Sequence, residues 1–474
     1  MRQAMHVDRR RFLRKSIAAA LAGAALHSAF GNLSLMSAAV AQRPYVFGDY
    51  KALVCVFLFG GNDSFNTVVP VGGQPRNDYV ASRGSLAIPS ASLHALNPAA
   101  GGGPAGYGLH PAMPEIAQLF NAGKAAVVAN VGGLLYPVTQ AEYQAQTVPV
   151  PPQLFSHSDQ SVQWQTSRPD DASANGWGGR IADLLHEANS GDVPMSISLG
   201  GNNPFQRGAI VNPYGMGTEG VERLNYSDGG PESWYLEGDN GAGEAAFDAL
   251  IEPGTQAHMF ERAFAGATRR SIDNYRLIAA ALGTPPVWDT PFPDPDGNRL
   301  SAQLQMVARL IAVRGALGMS RQVFYVSVGG YDTHAAQLDE HDVLLGQLSQ
   351  ALHAFHAATV QLGVDSGVTT FTASDFGRSL AVNSAGTDHG WGGHHVVLGG
   401  AVRGQRFYGA LPSLAPNGNP DDTGYGQVIP TIAVDQYSAT LARWFGVDAG
   451  GISDIFPNLG RFGAHGGGDL GFML

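Results

Sequence analysis

The sequence feature that most constrains the fold is the run of seven apolar residues at 53–59 (LVCVFLF), which ends at Gly60 and Gly61. A strand that is apolar on both faces must be covered on both sides, as inside a parallel sheet. Similar runs recur at 125–131 and 322–328, and segments of helical periodicity separate them. The chain is therefore predicted to be an α/β protein, with a mostly parallel central sheet flanked by helices on both faces.

The predicted strands and helices alternate along the chain. The strands are expected at 51–59, 125–131, 194–199, 322–328, 368–373 and 395–398. The helices are expected at 110–124, 176–188, 256–282, 299–317, 339–363 and 434–445. The stretch 200–255 is rich in glycine and lacks periodicity, so it is predicted to be an insertion or lid over one rim of the sheet.

Residues 1–41 have the pattern of a secretory signal. Arg9 and Arg10 precede an apolar, alanine-rich stretch, and Ala39-Val40-Ala41 fits a cleavage site. Paired arginines are typical of export by the twin-arginine machinery, which predicts a periplasmic or secreted protein. The alternative, an N-terminal membrane anchor, is disfavoured by the short apolar run. Residues 42–474 are then expected to form a single domain.

Composition excludes several partners. The formal net charge is −11, and the chain lacks the clustered Lys and Arg that nucleic-acid binding needs. No other segment is apolar enough for stable membrane insertion. A single cysteine, Cys55, can form neither an internal disulfide nor an iron–sulfur site. The chain also lacks G-x-S-x-G, G-x-G-x-x-G, Walker and H-E-x-x-H motifs.

Carboxylates and imidazoles follow four of the predicted elements. Because the carboxyl ends of parallel strands meet at one rim, these side chains are expected to converge there. Such donors suit a divalent metal, namely zinc, alone or with magnesium or calcium. Taken singly, each position also fits a turn or a helix cap. The predicted metal ligands are Asp63, Asp332, His334, Asp375, Asp388 and His389, and the last motif also holds His394 and His395.

Several motifs together resemble a known family: LVCVFLFGGNDSFNTVVP, FSHSDQSVQW, GGYDTHAAQ and SDFGRSLAVNSAGTDHGWGGHHVVLGG. With the twin-arginine leader, they look like the exported family known as domain of unknown function 1501, over about residues 50 to 450. That family is grouped with the alkaline-phosphatase-like superfamily of phosphatases, sulfatases and cofactor-independent phosphoglycerate mutases. The resemblance implies an α/β sandwich with metal ions at the carboxyl ends of the strands.

The resemblance also implies roles for single residues. Asp63 matches the metal carboxylate after the first strand, and Ser156 lies where the superfamily places its nucleophile. The remaining metal ligands implied are Asp332, His334, Asp375 and His389. Two positions depart from the superfamily pattern: Phe376 stands where a histidine often follows the later aspartate, and Asp332 and His334 are closer in sequence than the usual pair.

Three functions are compatible with these patterns. The first is an exported metal-dependent hydrolase of phosphate or sulfate esters, acting on a small anionic ester or a glycan. Ser156 would attack, with Ser158, Ser64 and Thr67 as other candidates, and His157 or Arg378 would bind the anionic group. The second is a non-catalytic binding or assembly protein, with Trp177, Trp234 and Trp391 available to stack on sugars. The third is a serine esterase in which Ser156 pairs with His157 or His389.

Overall fold

The apolar run at 53–59 falls in the centre of a large sheet. It forms the strand Lys51–Leu58 (β1), whose alternate side chains face two separate cores. Val54 and Val56 belong to the core on one face, whereas Cys55 and Phe57 border a small apolar cavity on the other face. The covering of both faces explains why the run is apolar throughout.

We describe a computed structural model of the chain. It covers residues 45–221, 225–226, 234–235, 247–252, 254, 256–294, 296–463 and 468–474. The predicted signal segment 1–41 lies outside the described residues, and so does part of the predicted insertion 200–255. Among the helices of the described ranges, none has the length and hydropathy needed to cross a membrane.

The sheet is mostly parallel, in the order β15-β5-β14-β11-β1-β10-β6-β7, with β16 beside β5. β1 pairs in parallel with β10 and β11, whereas β14 runs antiparallel to β11 and β5. The strands after β1 are Val68–Pro70 (β2), His94–Leu96 (β3), Tyr107–Leu109 (β4), Ala125–Gly132 (β5), Ser196–Ser198 (β6), Tyr214–Gly215 (β7), Asn225–Tyr226 (β8), Trp234–Tyr235 (β9), Arg321–Val328 (β10), Val368–Ser374 (β11), Arg378–Val382 (β12), Thr387–His389 (β13), Gly393–Leu398 (β14), Phe407–Tyr408 (β15) and Ile432–Ala433 (β16).

Helices pack on both faces of this sheet. α3, α8 and α9 contribute to the core that contains Val54, while α5, α6 and α10 contact the opposite face. The helices are Ser64–Thr67 (α1), Gly73–Arg83 (α2), Pro114–Asn121 (α3), Gln140–Ala145 (α4), His157–Thr166 (α5), Trp177–Leu185 (α6), Met259–Leu282 (α7), Arg299–Ala312 (α8), Gln337–Gln361 (α9), Val434–Phe445 (α10) and Ala449–Ile455 (α11).

The predicted fold class is confirmed, and the predicted long strands begin and end within one or two residues of the observed ones. One predicted strand, 395–398, begins earlier, at Gly393, and runs antiparallel to its neighbours. His394 and His395 consequently lie inside β14 rather than beyond a strand end. Sequence periodicity did not reveal α5, because six of its ten residues are buried polar or tryptophan side chains rather than an apolar stripe.

Candidate metal centre

Four side chains from three segments meet at the ends of β10 and β13. Asp332 and His334 follow β10, His389 ends β13, and His157 begins α5. The Nε2 atom of His389 lies 3.1 Å from Nε2 of His157 and 3.1 Å from Nε2 of His334. Oδ1 of Asp332 lies 2.9 Å from His334 Nε2 and 3.3 Å from His389 Nε2, and its Oδ2 lies 3.4 Å from His157 Nε2.

The tautomer of His389 follows from its other nitrogen. Nδ1 lies 2.7 Å from the carbonyl oxygen of Phe155, which can only accept, so Nδ1 carries the proton and Nε2 presents a lone pair. Phe155 adopts a φ of 69°, in the left-handed region, at the turn that precedes α5. Burial lowers the pKa of His389, and the nearby His157 and Arg378 lower it further, whereas the hydrogen bond to the Phe155 carbonyl raises it. The net lowering favours the neutral ring.

The spacing of the converging atoms fits a first-row metal. Ligand atoms at 2.0–2.1 Å from one ion lie about 3.3 Å apart in tetrahedral geometry and about 3.0 Å apart in octahedral geometry. The separations among His157, Asp332 and His389, 3.1 to 3.4 Å, lie close to that range, and the ligand atoms of these three residues all lie within 4.8 Å of one another. His334 borders this group through Asp332 and His389 and is not a member of it. Two neutral imidazole nitrogens at 3.1 Å repel each other unless a cation or a proton lies between them. The set of imidazoles and one carboxylate therefore fits a zinc ion in both distance and chemistry.

Asp375 orients His157 rather than facing the other ligands. Its side chain is 2% exposed, and Oδ2 accepts hydrogen bonds from His157 Nδ1 at 2.7 Å and Gly60 N at 2.9 Å. Oδ1 accepts from Ser161 at 2.8 Å. The hydrogen bond that His157 donates to Asp375 raises the pKa of His157 against the effect of burial. The structure thus gives Asp375 an orienting role instead of the predicted direct ligation, and it adds Ser161, which the sequence did not single out.

Replacing Asp375 with asparagine is expected to weaken zinc binding by about 10- to 100-fold, because a ligand histidine loses the carboxylate that orients it. The dissociation constant can be measured by competition with a chromogenic chelator. Asp339→Asn is the matched control, since Asp339 is exposed on α9. Equal affinities of the two variants would rule out the orienting role.

Arg378 holds Asp332 instead of pointing toward a substrate. Its side chain is fully buried, and Nη1 donates to Asp332 Oδ1 at 2.6 Å and to the Gly60 carbonyl at 3.2 Å. Its other donors bind Thr387. Burial would raise the pKa of Asp332, but Arg378, His157 and His334 outweigh it and lower the pKa. Arg378 therefore positions Asp332 in this structure, and its role as an anion binder stays a prediction.

Asp388 lies on the outer side of His334. Its side chain is 64% exposed, and Oδ1 lies 3.4 Å from His334 Nδ1, the nitrogen turned away from the other ligands. Asn383 also donates to this carboxylate. The structure places Asp388 behind a ligand rather than among the ligands, although the sequence predicted direct metal binding.

Asp63 has a different role from the predicted one. It is fully buried, caps α1 by accepting from the backbone N–H groups of Phe65 and Asn66, and forms an ion pair with the buried Arg83. Gln337 also donates to it. These contacts occupy both carboxylate oxygens, so Asp63 does not join the converging ligands.

The predicted nucleophile is also engaged elsewhere. Ser156 Oγ donates to Asp159 at 2.5 Å and lies 3.1 Å from Ser158 Oγ. Thr67, another candidate, donates to the carbonyl of Asp63. Within the described ranges, no serine hydroxyl is hydrogen-bonded to a histidine, so the triad required by the serine esterase hypothesis is not formed.

Phe376 packs against the candidate ligands, whereas the paired histidines after it lie in the core. Phe376 stacks on His389 with ring centroids 4.8 Å apart and lies 4.7 Å from the ring of His157. An aromatic ring therefore stands where the superfamily pattern often has a histidine. His394 and His395 are buried in β14, where burial lowers their pKa values to about 4 and about 3. These two are neutral core histidines.

Gly60 and Gly61 allow the end of β1 to approach the site. A Cβ atom on Gly60 would lie 2.3 Å from the backbone nitrogen of Asp332, and one on Gly61 would lie 2.4 Å from the ring of Phe376. Both residues have positive φ angles, 114° and 82°. The two glycines are thus required by close packing beneath the ligands.

Gly60→Ala is expected to lower both stability and zinc affinity, because the new Cβ must displace Asp332. The strain should reduce the free energy of unfolding by about 1–3 kcal/mol, measured by urea denaturation with zinc titration alongside. Gly72→Ala is the control, since a Cβ there meets nothing within 4 Å. A stable Gly60→Ala protein with unchanged zinc affinity would contradict the prediction.

Comparison with known proteins gives a family match for part of the chain. The family model described as "Protein of unknown function (DUF1501)" matches residues 276–449, and the predicted resemblance is confirmed over those residues. No curated protein matches the chain. Among solved structures, Ps i-CgsB in complex with k-i-k-neocarrahexaose is 11% identical, with a TM-score of 0.34 and coverage of 85% of this chain and 74% of that one.

A second solved structure, the PsFucS1 sulfatase from Pseudoalteromonas sp., is 9% identical, with a TM-score of 0.32 and coverage of 89% of this chain and 72% of that one. Similarity at this level carries no argument about the site. The region 276–449 that matches the family model contains Asp332, His334 and His389 but not His157. That family is described only as a protein of unknown function.

Proposed function

We propose that the protein is an exported, metal-dependent hydrolase of phosphate or sulfate esters. It would bind one zinc ion through His157, Asp332 and His389, with His334 beside them. The observation that carries the proposal is the convergence of two imidazole Nε2 atoms and one carboxylate within 3.1 to 3.4 Å of one another. His157 and His389 are each fixed through Nδ1, as metal-binding histidines usually are.

The charge of this donor set favours an anionic substrate. Neutral imidazoles and one carboxylate would leave a dication with a net positive charge, which attracts phosphate or sulfate esters. A bound zinc ion supplies Lewis-acid polarisation of an ester oxygen and activation of water near neutral pH. The chain's own residues supply orientation: Asp375 fixes His157, and Arg378 holds Asp332 in its ionised form.

Accessibility distinguishes this set from a closed structural zinc site. The side chains of Asp332 and His334 are each 43% exposed, and that of His157 is 35% exposed. With three protein ligands, a zinc ion would keep a position open on this exposed side for water or a substrate oxygen. Since Ser156 and Ser161 both donate to carboxylates, we assign the attack to water and not to a serine.

The test measures metal and turnover together. The purified protein should contain about one equivalent of zinc and hydrolyse an aryl phosphate or an aryl sulfate. Removal of zinc with a chelator should abolish turnover, and added zinc should restore it. A metal-free protein that retains turnover, or a zinc-loaded protein that cleaves neither ester, would refute the proposal.

The second candidate is a non-catalytic exported binding or assembly protein. Ser156 and Ser161 both donate to carboxylates, so neither hydroxyl is free to act as a nucleophile at the converging atoms. This candidate predicts stoichiometric zinc, loss of fold on chelation and no turnover of either ester. The chelation experiment therefore separates the two functions directly.

A further inference from the structure

A groove of about 580 Å³ borders the candidate metal centre, a volume typical of small-molecule sites. His157 and Asp332 form part of its wall, so a molecule in the groove would reach the metal ligands. Gly329 and Gly330 contribute backbone atoms to its wall. Phe59, at the end of β1, and Gln165, on α5, contribute side chains. The groove thus extends the site beyond the atoms that would hold the ester group.

Phe59 offers an apolar ring to this groove. It is the first residue after β1, and 37% of its surface remains exposed, whereas the neighbouring Phe57 is fully buried. The two rings are 4.6 Å apart at their centroids, which holds Phe59 in place. A fixed and exposed aromatic face at the wall of a groove that also carries polar side chains is suited to stacking on a flat, partly apolar ring.

Gln165 adds a hydrogen-bond donor beside it. The residue is 3% exposed, and its Oε1 accepts from Phe205 N at 3.2 Å, which assigns the amide orientation and leaves Nε2 as the free end. No described residue accepts a hydrogen bond from Nε2. On its other side Gln165 borders a closed cavity of about 10 Å³ lined mainly by aromatic and apolar side chains, so the groove is where an acceptor can come from.

We propose that this groove binds the carbohydrate part of the substrate, with a sugar ring stacked on Phe59 and a ring hydroxyl bonded to Gln165 Nε2. Sugars combine an apolar C–H face with hydroxyl acceptors, which matches the pairing of an aromatic ring with an amide. A fatty acyl chain would require a continuous apolar lining, and here Asn202, Ser158 and the glycines interrupt it. The inference rests on the proposed function for the site, and it names glycan esters as the substrate class.

The test is binding, which needs no turnover. Neutral hexasaccharides of glucose, galactose and mannose, without ester groups, are titrated into the zinc-loaded protein by calorimetry. Phe59→Ala is expected to weaken binding about five- to tenfold, and Gln165→Met to weaken it as well. Phe260→Ala, which removes an equally large ring that is 71% exposed on α7, should bind like the wild type.

Two results would overturn the inference: no binding of any hexasaccharide to the wild type, or equal affinities of Phe59→Ala and Phe260→Ala. Thermal unfolding of each variant tests whether it is folded. If Phe59→Ala does not fold, the affinity of Gln165→Met for the hexasaccharides tests the inference instead. Aryl-ester turnover without sugar binding defeats only this inference. Phe59-dependent sugar binding without ester turnover defeats only the proposed hydrolysis.

Discussion

His389→Ala is expected to lose zinc and ester turnover while the protein stays folded. His389 Nε2 lies at the centre of the converging atoms, 3.1 Å from two other imidazole nitrogens and 3.3 Å from Asp332. Loss of a group that merely orients a ligand costs about 10- to 100-fold in metal affinity, so loss of the ligand itself should cost more. Zinc content after dialysis and chelator competition measure the effect.

His353→Ala is the matched control for that experiment. His353 lies half-buried on α9, away from the metal ligands, and its replacement should leave zinc content unchanged. Equal zinc content in the two variants would show that the four side chains converge for another reason. A preserved thermal transition in His389→Ala is needed to separate loss of the ligand from loss of the fold.

Asp63→Ala is expected to destabilise the fold by about 3–5 kcal/mol, because it leaves the charge of Arg83 buried without a partner. Asp63 and Arg83 both have fully buried side chains. The same substitution removes the cap of α1, where the carboxylate accepts from two backbone N–H groups. Guanidinium denaturation of the zinc-loaded protein measures the change in the free energy of unfolding.

Two further variants separate the effect of the lost charge from the effect of the lost helix cap on the free energy of unfolding. Asp63→Asn keeps a cap acceptor and loses the charge, so it should also be destabilised, by less than Asp63→Ala. Asp63→Ala combined with Arg83→Met removes both charges and should recover part of the loss. If folded Asp63→Ala protein loses zinc as completely as His389→Ala, then Asp63 is a metal ligand after all.

The fold was largely predictable because its signal is local. β1 is apolar from Ala52 to Leu58 and β10 contains the apolar run Val323–Val326, and this pattern predicts strands that are buried on both faces. α10 was predicted with its observed bounds, since its periodicity and the following Gly446 mark both its face and its end. α5 was missed, although it carries His157 and Ser161, because its buried residues are polar.

The site was predictable only in part, because the type of a residue does not specify which side chain it contacts in the folded chain. The sequence grouped Asp332, His334 and His389, and the structure places these side chains close together, while their metal binding stays a prediction. It treated His157 as an anion binder, whereas in the structure this ring faces His389 at 3.1 Å. It treated Asp375 as a ligand, whereas a neighbouring hydroxyl and an imidazole occupy its oxygens.

The sequence by itself determined the class of the fold and the chemistry available at the rim. Apolar runs require burial on both faces, and Gly60 and Gly61 permit a tight approach at the end of β1. Only the tertiary structure decided which partner each carboxylate has. Asp63 meets Arg83 in the interior, Asp375 meets His157, and Asp332 meets the converging imidazoles. These pairings depend on contacts between residues distant in sequence, which local pattern cannot encode.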